Sequence, residues 1–362
     1  MKKLVALLLV VVYSAYAFPC STFLLSKNGQ HVFGRNYDWV SGNGMVMVNA
    51  RGVAKTSFMP AGGKGISWVS RYGSITFNQF GKEFPHGGMN EKGLVIELMW
   101  LSETKYPEPD QRSGVNVLQW VQYQLDNCAT VAEVIATDKT IRINKEAGAP
   151  LHFLVADANG NAATIEFING KMVVHRGEDL QYPVLTNTIY KEALQQVNEA
   201  KGTNGRYKDN SVERFATACR MVQEYHQNNS NEAPVDYAFS ILNNIAQGSY
   251  TKWSIVYDIT NRQIHFVSNT MQQRRQINLL DFDFTCNNTP LAFSLSDRRS
   301  GDVSKYFTTL TAEQNKKLIE KSFDESASQL NVQRAARNAA AEYFQQVACE
   351  HHETQKTRSN TR

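Results

Sequence analysis

Three residues near the start of this chain carry groups suited to nucleophilic chemistry: Cys20, Arg35 and Asp38. Cys20 follows the run Ala15-Tyr16-Ala17-Phe18-Pro19, which reads as the end of a cleavable export signal. A cysteine released as residue one offers a thiol and, beside it, a free α-amine. An α-amino group titrates at about 7.7–8.0, so it takes up or releases a proton near neutrality. Such an amine can activate its own side chain, and no histidine partner is required. From Cys20 the chain reads as a strand, a turn at Lys27-Asn28-Gly29 and a second strand, which returns Arg35 and Asp38 to the cysteine. A cation there favours thiolate, and a carboxylate there can hold the amine. By spacing alone, a surface ion pair is the alternative reading of the two charges.

The signal has a positive start at Lys2 and Lys3, an apolar run from Leu4 to Val12 and the A-x-A pattern Ala15-Tyr16-Ala17. The apolar run is shorter than the ~20 residues that span a bilayer. A lipoprotein signal fits poorly, because Pro19 stands where a small residue is expected. Residues 1–17 are therefore expected to be removed on export to the periplasm or medium, with a second trimming of Phe18-Pro19 (1–19 in total). Formal net charge is +4, and +2 once Lys2 and Lys3 are set aside, too mild to imply a nucleic-acid partner. No second apolar run of membrane length follows, so stable membrane insertion is not expected. No GxGxxG or GxxxxGK[ST] occurs, and no cofactor is expected. Of five cysteines (Cys20, Cys128, Cys219, Cys286, Cys349) none forms a CxxC pair, which argues against zinc. The four besides Cys20 allow three disulfide pairings or isolated buried thiols.

The first half reads as short strands at Ser21–Ser26, His31–Trp39, Gly44–Ala50, Ile66–Ser70, Ser74–Phe80 and Gly93–Leu101, with turns such as Ala61-Gly62-Gly63 between them. Helices are predicted over Val115–Leu125 and over Val131–Thr137, the latter with Thr130 as N-cap. Strands return at Leu151–Asp157, Ala162–Ile168 and Lys171–His175, with turns at Asn159-Gly160 and Asn169-Gly170. Helices follow over Ile189–Glu199, Ser211–Tyr225 and Val235–Ile245, then strands Trp253–Ile259 and Gln263–Ser268, then a helical stretch Thr311–Val347. The alternation of sheet and helix blocks predicts an α+β layered fold rather than a doubly wound one. A single domain over 20–347 and a polar tail over 348–362 are expected. The region after about Asn269 carries no readable motif.

Four segments, in order, make the chain similar to a known family. Cys20 with Phe33-Gly34-Arg35-Asn36-Tyr37-Asp38-Trp39, then Gly88-Met89-Asn90-Glu91-Lys92-Gly93-Leu94, Leu185-Thr186-Asn187 and Ser211-Val212-Glu213-Arg214-Phe215 resemble the choloylglycine hydrolase and penicillin V acylase family. These are N-terminal nucleophile cysteine hydrolases that cleave linear amide C–N bonds. The resemblance runs from Cys20 to about Ser268. It implies a four-layer αββα sandwich and an amide hydrolase acting on a small-molecule N-acyl amide (a conjugated bile salt, a penicillin V-type amide or an acyl-homoserine lactone) through a cysteine thioester.

Matched position by position, the resemblance implies Cys20 as nucleophile, Arg35 and Asp38 beside it, Asn187 as side-chain oxyanion donor and Arg214 as the active-site arginine. The backbone N–H of Trp100 falls at the second oxyanion position. Bile-salt members carry Asn there and penicillin acylases Tyr, so Trp100 departs from both and resembles the exported Gram-negative branch. The 26 residues between Asn187 and Arg214 leave no room for the insertion that Gram-positive tetramers use, so a homo-oligomer would need other contacts. Trp39, Phe33 and Trp100 are candidates for an apolar acyl pocket, or plain core aromatics. Met45, Met47 and Met59 are pocket-loop or gap-filling residues. His351-His352 lie in a polar tail and suggest no metal. Cys128 and Cys219 lack the local signature of papain-like proteases. If Phe18-Pro19 stay attached, the alternative is a catalytically silent ligand-binding protein on the same fold, since an acylated Cys20 nitrogen is no base.

Overall fold

The turn Asn28-Gly29 determines what faces Cys20. Both residues take positive φ, 52° and 76°, as a two-residue hairpin turn matched to strand twist requires. It joins β1 (Ser21–Lys27) to β2 (Gln30–Asp38) with Ser21 opposite Asn36 and Thr22 opposite Arg35. Gly34 allows the pair to close: a Cβ there would lie 2.2 Å from the Phe23 ring. The computed structural model describes residues 19–59, 63–144, 149–200, 209–227, 232–287 and 289–350. The signal, Phe18, the turn residues Ala61 and Gly62, and His351-His352 lie outside the described residues.

β1 and β2 lie in a seven-stranded sheet, in the order Val184–Leu185, β1, β2, Thr251–Asp258, Gln263–Ser268, Met271–Asn278, Gly301–Asp302. A nine-stranded sheet faces it, ordered Lys171–Arg176, Ala162–Ile168, Leu151–Ala156, Val95–Trp100, Pro85–Asn90, Ser74–Asn78, Met45–Asn49, Leu291–Ser294, Thr308–Thr309. Phe77 of the second sheet packs edge-on against Tyr257 and Phe266 of the first, so the main core lies between the sheets. Helix α1 (Val117–Asn127) packs on Pro85–Asn90, over a second apolar cluster. α2 (Val131–Ala136) carries the expected Thr130 cap, completed by Glu133. α3 (Tyr190–Ala200) packs on α4 (Asn210–Gln227), which lies on β1, while α5 (Pro234–Asn244) lies on β2. The result is the four-layer αββα sandwich that the resemblance implies.

Four local readings change. α1 begins at Val117, after its Asn116 cap, because Ser113–Val115 is spent on a short strand paired with Ile141–Ile143. The stretch Gly93–Leu101 resolves into a turn and the strand Val95–Trp100, preceded by the strand Pro85–Asn90 that its glycines concealed. Asn90 builds that turn: its Oδ1 accepts the Lys92 and Leu94 N–H groups, and its Nδ2 donates to the carbonyls of Leu125 and Cys128 at the end of α1. Thr311–Val347 divides into α6 (Ala312–Glu325) and α7 (Arg334–Tyr343).

The fourth change concerns the tail. Ala348–Cys349 pairs with the strand Val53–Thr56, and Cys349 is bonded to Cys286, so the ordered unit passes the expected boundary at 347. Cys128 and Cys219 are buried thiols. The disulfide spans 63 residues of sequence that include both C-terminal helices. On the chain-entropy account, closing a loop of that length contributes about 4 kcal/mol. The double variant Cys286→Ser/Cys349→Ser is therefore expected to lower unfolding free energy by up to about 4 kcal/mol in a denaturant titration; an unchanged midpoint would contradict this.

Candidate active site

The β1–β2 register brings Cys20 against the end of β2. Its thiol donates to the Asp38 carbonyl at 3.7 Å, and Arg35 Nη2 lies 4.0 Å from Sγ. The Arg35 charge favours the thiolate, as expected, but burial is the larger effect and holds the Cys20 thiol above its ordinary range. One reason is that Arg35 is itself answered: Nη1 lies 2.8 Å from Glu97 Oε2, with both side chains fully buried. Asp38 is buried too. Its Oδ1 accepts the Thr251 hydroxyl, its Oδ2 finds no hydrogen-bond partner among the described residues, and burial pushes its carboxyl up to about 7.

Glu97 is the residue that sequence reasoning missed. It lies on the nine-stranded sheet, pairs with Arg35 and accepts the Tyr257 hydroxyl. Burial pushes it up to about 7, with Arg35 and Tyr257 opposing. Gly87 makes room: a Cβ there would lie 2.1 Å from the Glu97 carboxyl carbon. A lone acid in the run Leu94-Val95-Ile96-Glu97-Leu98 was the available signal.

Arg214 reaches in from α4. Its Nη1 donates to the Cys20 carbonyl at 2.7 Å and to Ser21 Oγ at 2.6 Å; its Nε donates to Asn210 Oδ1 at 2.9 Å. Nη2 donates to Asn187 Oδ1 at 3.0 Å. That contact turns the Asn187 amide so that its nitrogen faces away from the arginine. Nδ2 donates to the Trp100 carbonyl at 2.8 Å, which uses one of its two hydrogens. Burial brings Arg214 down to about 10. The Thr186-Asn187 backbone is held as well: Ser211 Oγ accepts the Asn187 N–H at 2.9 Å, and buried His152 places Nε2 2.6 Å from the Thr186 carbonyl and Nδ1 3.1 Å from Glu166.

A cavity of about 260 Å3 opens at Cys20. Its lining includes Tyr37, Trp39, Phe58, Phe84, His86 and Trp100. Trp39 and Trp100 line it, ring centroids 6.3 Å apart. Phe33 does not line it. Strand alternation gives Phe33 the same face as Arg35 and Tyr37, but farther from Cys20, where it packs edge-on against Tyr257 at 6.1 Å. Met45, Met47 and Met59 also lie outside this wall, and Met47 is core. Burial, and then the Arg35 charge, keep His86 well below its ordinary range and therefore neutral. A second cavity of about 340 Å3, beside Lys55, Lys82 and Glu83, does not touch Cys20. Its charges are paired internally, Lys55 with Glu83 and Asp126, and Lys82 with Glu83. Among the described residues no cluster of histidine, cysteine and acid side chains could hold a metal.

The model of the linear amide C–N hydrolases, choloylglycine hydrolase family, matches residues 20–204. Over 256 residues, 58% of the chain, the sequence is 29% identical to the penicillin V acylase of Pectobacterium atrosepticum. That match spans 66% of the relative's length, just under two thirds. The structure of penicillin V acylase from Agrobacterium tumefaciens is similar, with a TM-score of 0.69 and 26% identity, covering 81% of this chain and 98% of that one. A variant of conjugated bile acid hydrolase from Clostridium perfringens gives 0.66 at 18% identity, covering 78% and 98%, a likeness of fold alone.

Removing one partner of a buried ion pair strands the other charge. Glu97→Ala is accordingly expected to lower unfolding free energy by about 3–5 kcal/mol, measured by denaturant titration; a loss below about 1 kcal/mol, the range of an exposed pair, would contradict the assignment. In the chain that keeps Pro19, iodoacetamide labelling of Cys20 is expected to be slow at neutral pH and to keep rising past about 8.5, the ordinary cysteine value. A labelling midpoint at or below pH 7 would show that Arg35 outweighs burial.

Proposed function

The chain belongs to the linear amide C–N hydrolase, choloylglycine hydrolase family, and from that premise we propose that it is an exported amidase that uses Cys20 as an N-terminal nucleophile. The observation that carries this reading is the joint placement of three groups. The Cys20 thiol opens on an apolar cavity, Asp38 beside it has a carboxylate oxygen with no hydrogen-bond partner among the described residues, and Arg214 fixes the Asn187 amide, whose Nδ2 keeps one hydrogen beyond its bond to the Trp100 carbonyl. The Cys286–Cys349 disulfide supports an oxidising compartment.

In this reading, removal of residues 1–19 turns the Cys20 nitrogen from an amide into an amine, which Asp38 holds. The amine takes the thiol proton as Sγ attacks the substrate carbonyl carbon. Negative charge collects on the carbonyl oxygen, where Asn187 Nδ2 and the Trp100 N–H act as donors. Fixed donors of this kind are worth about 2.7–4 kcal/mol each. The intermediate collapses, the C–N bond breaks, and the Cys20 ammonium gives its proton to the departing amine. Water then attacks the thioester, passes a proton to the Cys20 amine, and the carboxylic acid leaves with the thiol restored.

The cavity favours compact acyl groups. Its 260 Å3 lies below the roughly 300–1,000 Å3 of sites that enclose drug-sized ligands. An aryl-acetyl or medium aliphatic acyl group suits it better than a four-ring steroid, and two of the similar proteins are named for penicillin V.

The test is hydrolysis of penicillin V and of glycocholate by protein beginning at Cys20. Faster release of phenoxyacetate is expected, Cys20→Ala is expected to abolish it, and Asn187→Ala is expected to lower kcat by about 10²–10³. Turnover that survives Cys20→Ala would overturn the proposal, as would no turnover of any N-acyl amide, the outcome that favours a silent binding protein.

A further inference from the structure

The wall of the cavity opposite the sheets comes from the segment whose sequence carries no motif. Phe323 of α6, Leu330 and Val332 of the connection, and Ala336 and Ala340 of α7 line it. Ala336 and Ala340 are four apart, so they present one face of α7 to the cavity as its smallest surface. The hairpin is held on several sides. Trp39 Nε1 donates to Ser326 Oγ at 2.9 Å, in the residue next to Asp38, and Asn43 Nδ2 donates to Ser322 Oγ at 3.0 Å. The Lys82 N–H donates to Asn315 Oδ1 at 2.8 Å, and Tyr343 OH donates to the Thr56 carbonyl at 2.6 Å. Phe323 stacks on Phe80 at 4.5 Å, and the Arg337 guanidinium lies 5.3 Å from the Phe323 ring centroid and is tied to Asp324 at 2.6 Å. The Cys286–Cys349 bond closes the segment beyond α7.

We propose that the α6–α7 hairpin is the acyl-length gauge of this site, with Ala336 and Ala340 setting its depth and Phe323 its width. The inference rests on the amidase reading and names its substrates more narrowly, as amides of aryl-acetyl or medium aliphatic acids. The physical basis is steric. A wall anchored by hydrogen bonds on both helices and by a covalent bond cannot retreat from a longer acyl chain, so a methyl added to that wall is felt by the substrate. One methylene in a fitted apolar pocket changes selectivity by about 10–200-fold. Alanine at both positions presents the smallest side chain to the cavity.

The test uses protein beginning at Cys20 and one amine carrying acetyl, hexanoyl, phenylacetyl and decanoyl groups. Binding of the corresponding free carboxylates, followed by calorimetry, is the parallel readout. Ala336→Leu is expected to cut kcat/KM for the phenylacetyl and decanoyl amides at least about 10-fold and to leave the acetyl amide within about twofold. Phe323→Ala is expected to shift preference toward decanoyl. Carboxylate affinities should follow the same order. If folded variants of both kinds change all acyl groups by one common factor, the hairpin is a structural brace and the proposal fails. If amides are not hydrolysed but carboxylate affinities shift with length as stated, the amidase reading fails and the gauge stands. If no carboxylate binds and no amide is cleaved, both fail.

Discussion

Everything near Cys20 depends on one buried ion pair between the two sheets. Arg35 and Glu97 meet at 2.8 Å with no solvent exposure. Taking both charges out of water costs several kcal/mol per ion, which the contact offsets only when the remaining donors and acceptors are also met. The structure meets most of them: Arg35 Nη2 donates to the Leu98 carbonyl at 3.0 Å and Tyr257 donates to Glu97, while Arg35 Nε finds no hydrogen-bond partner among the described residues. Gly87 then becomes obligatory, since any side chain would enter the carboxylate. The pair also leaves Arg35 largely neutralised, so the thiol feels burial more than charge.

Arg214 works differently. Its donors go to four neutral oxygens, those of Cys20, Ser21, Asn187 and Asn210. Among the described residues no carboxylate lies within ion-pair distance of it. Its charge therefore remains available to the site, at the cost of desolvation that brings it down to about 10. One arginine is spent on structure beneath the thiol, and the other holds the amide that faces the substrate carbonyl in the proposed reaction. The His152–Glu166 pair beneath Thr186 continues that support inward.

The sequence made the local parts of this arrangement legible. Asn28-Gly29 is a strong hairpin signal, and from it the meeting of Cys20 with Arg35 and Asp38 follows by counting. Thr130 marks a helix start for the same reason, since a cap is a contact among neighbours. Asn187 and Arg214 became readable only through family resemblance, because their contact spans 27 positions and depends on α4 lying on β1. Glu97 stayed hidden because its partner is on the other sheet, and nothing local announces a pairing across layers. Phe33 is aromatic and close to Arg35 in sequence, which made it a pocket candidate, but its distance along the strand from Cys20 places it against Tyr257 instead. The α6–α7 wall was illegible for a related reason. Its small residues look like ordinary helix formers, and only the packed structure shows them facing a cavity.

The central claim is that Cys20 acts as nucleophile and base only when it begins the chain. The most direct measurement is intact mass of two purified forms, one starting at Phe18 and one at Cys20, taken during turnover of a phenylacetyl amide. The account expects an acyl adduct and product release from the Cys20 form and neither from the Phe18 form. Equal turnover by the form that keeps Phe18-Pro19 would contradict it, because an amide nitrogen cannot take the thiol proton.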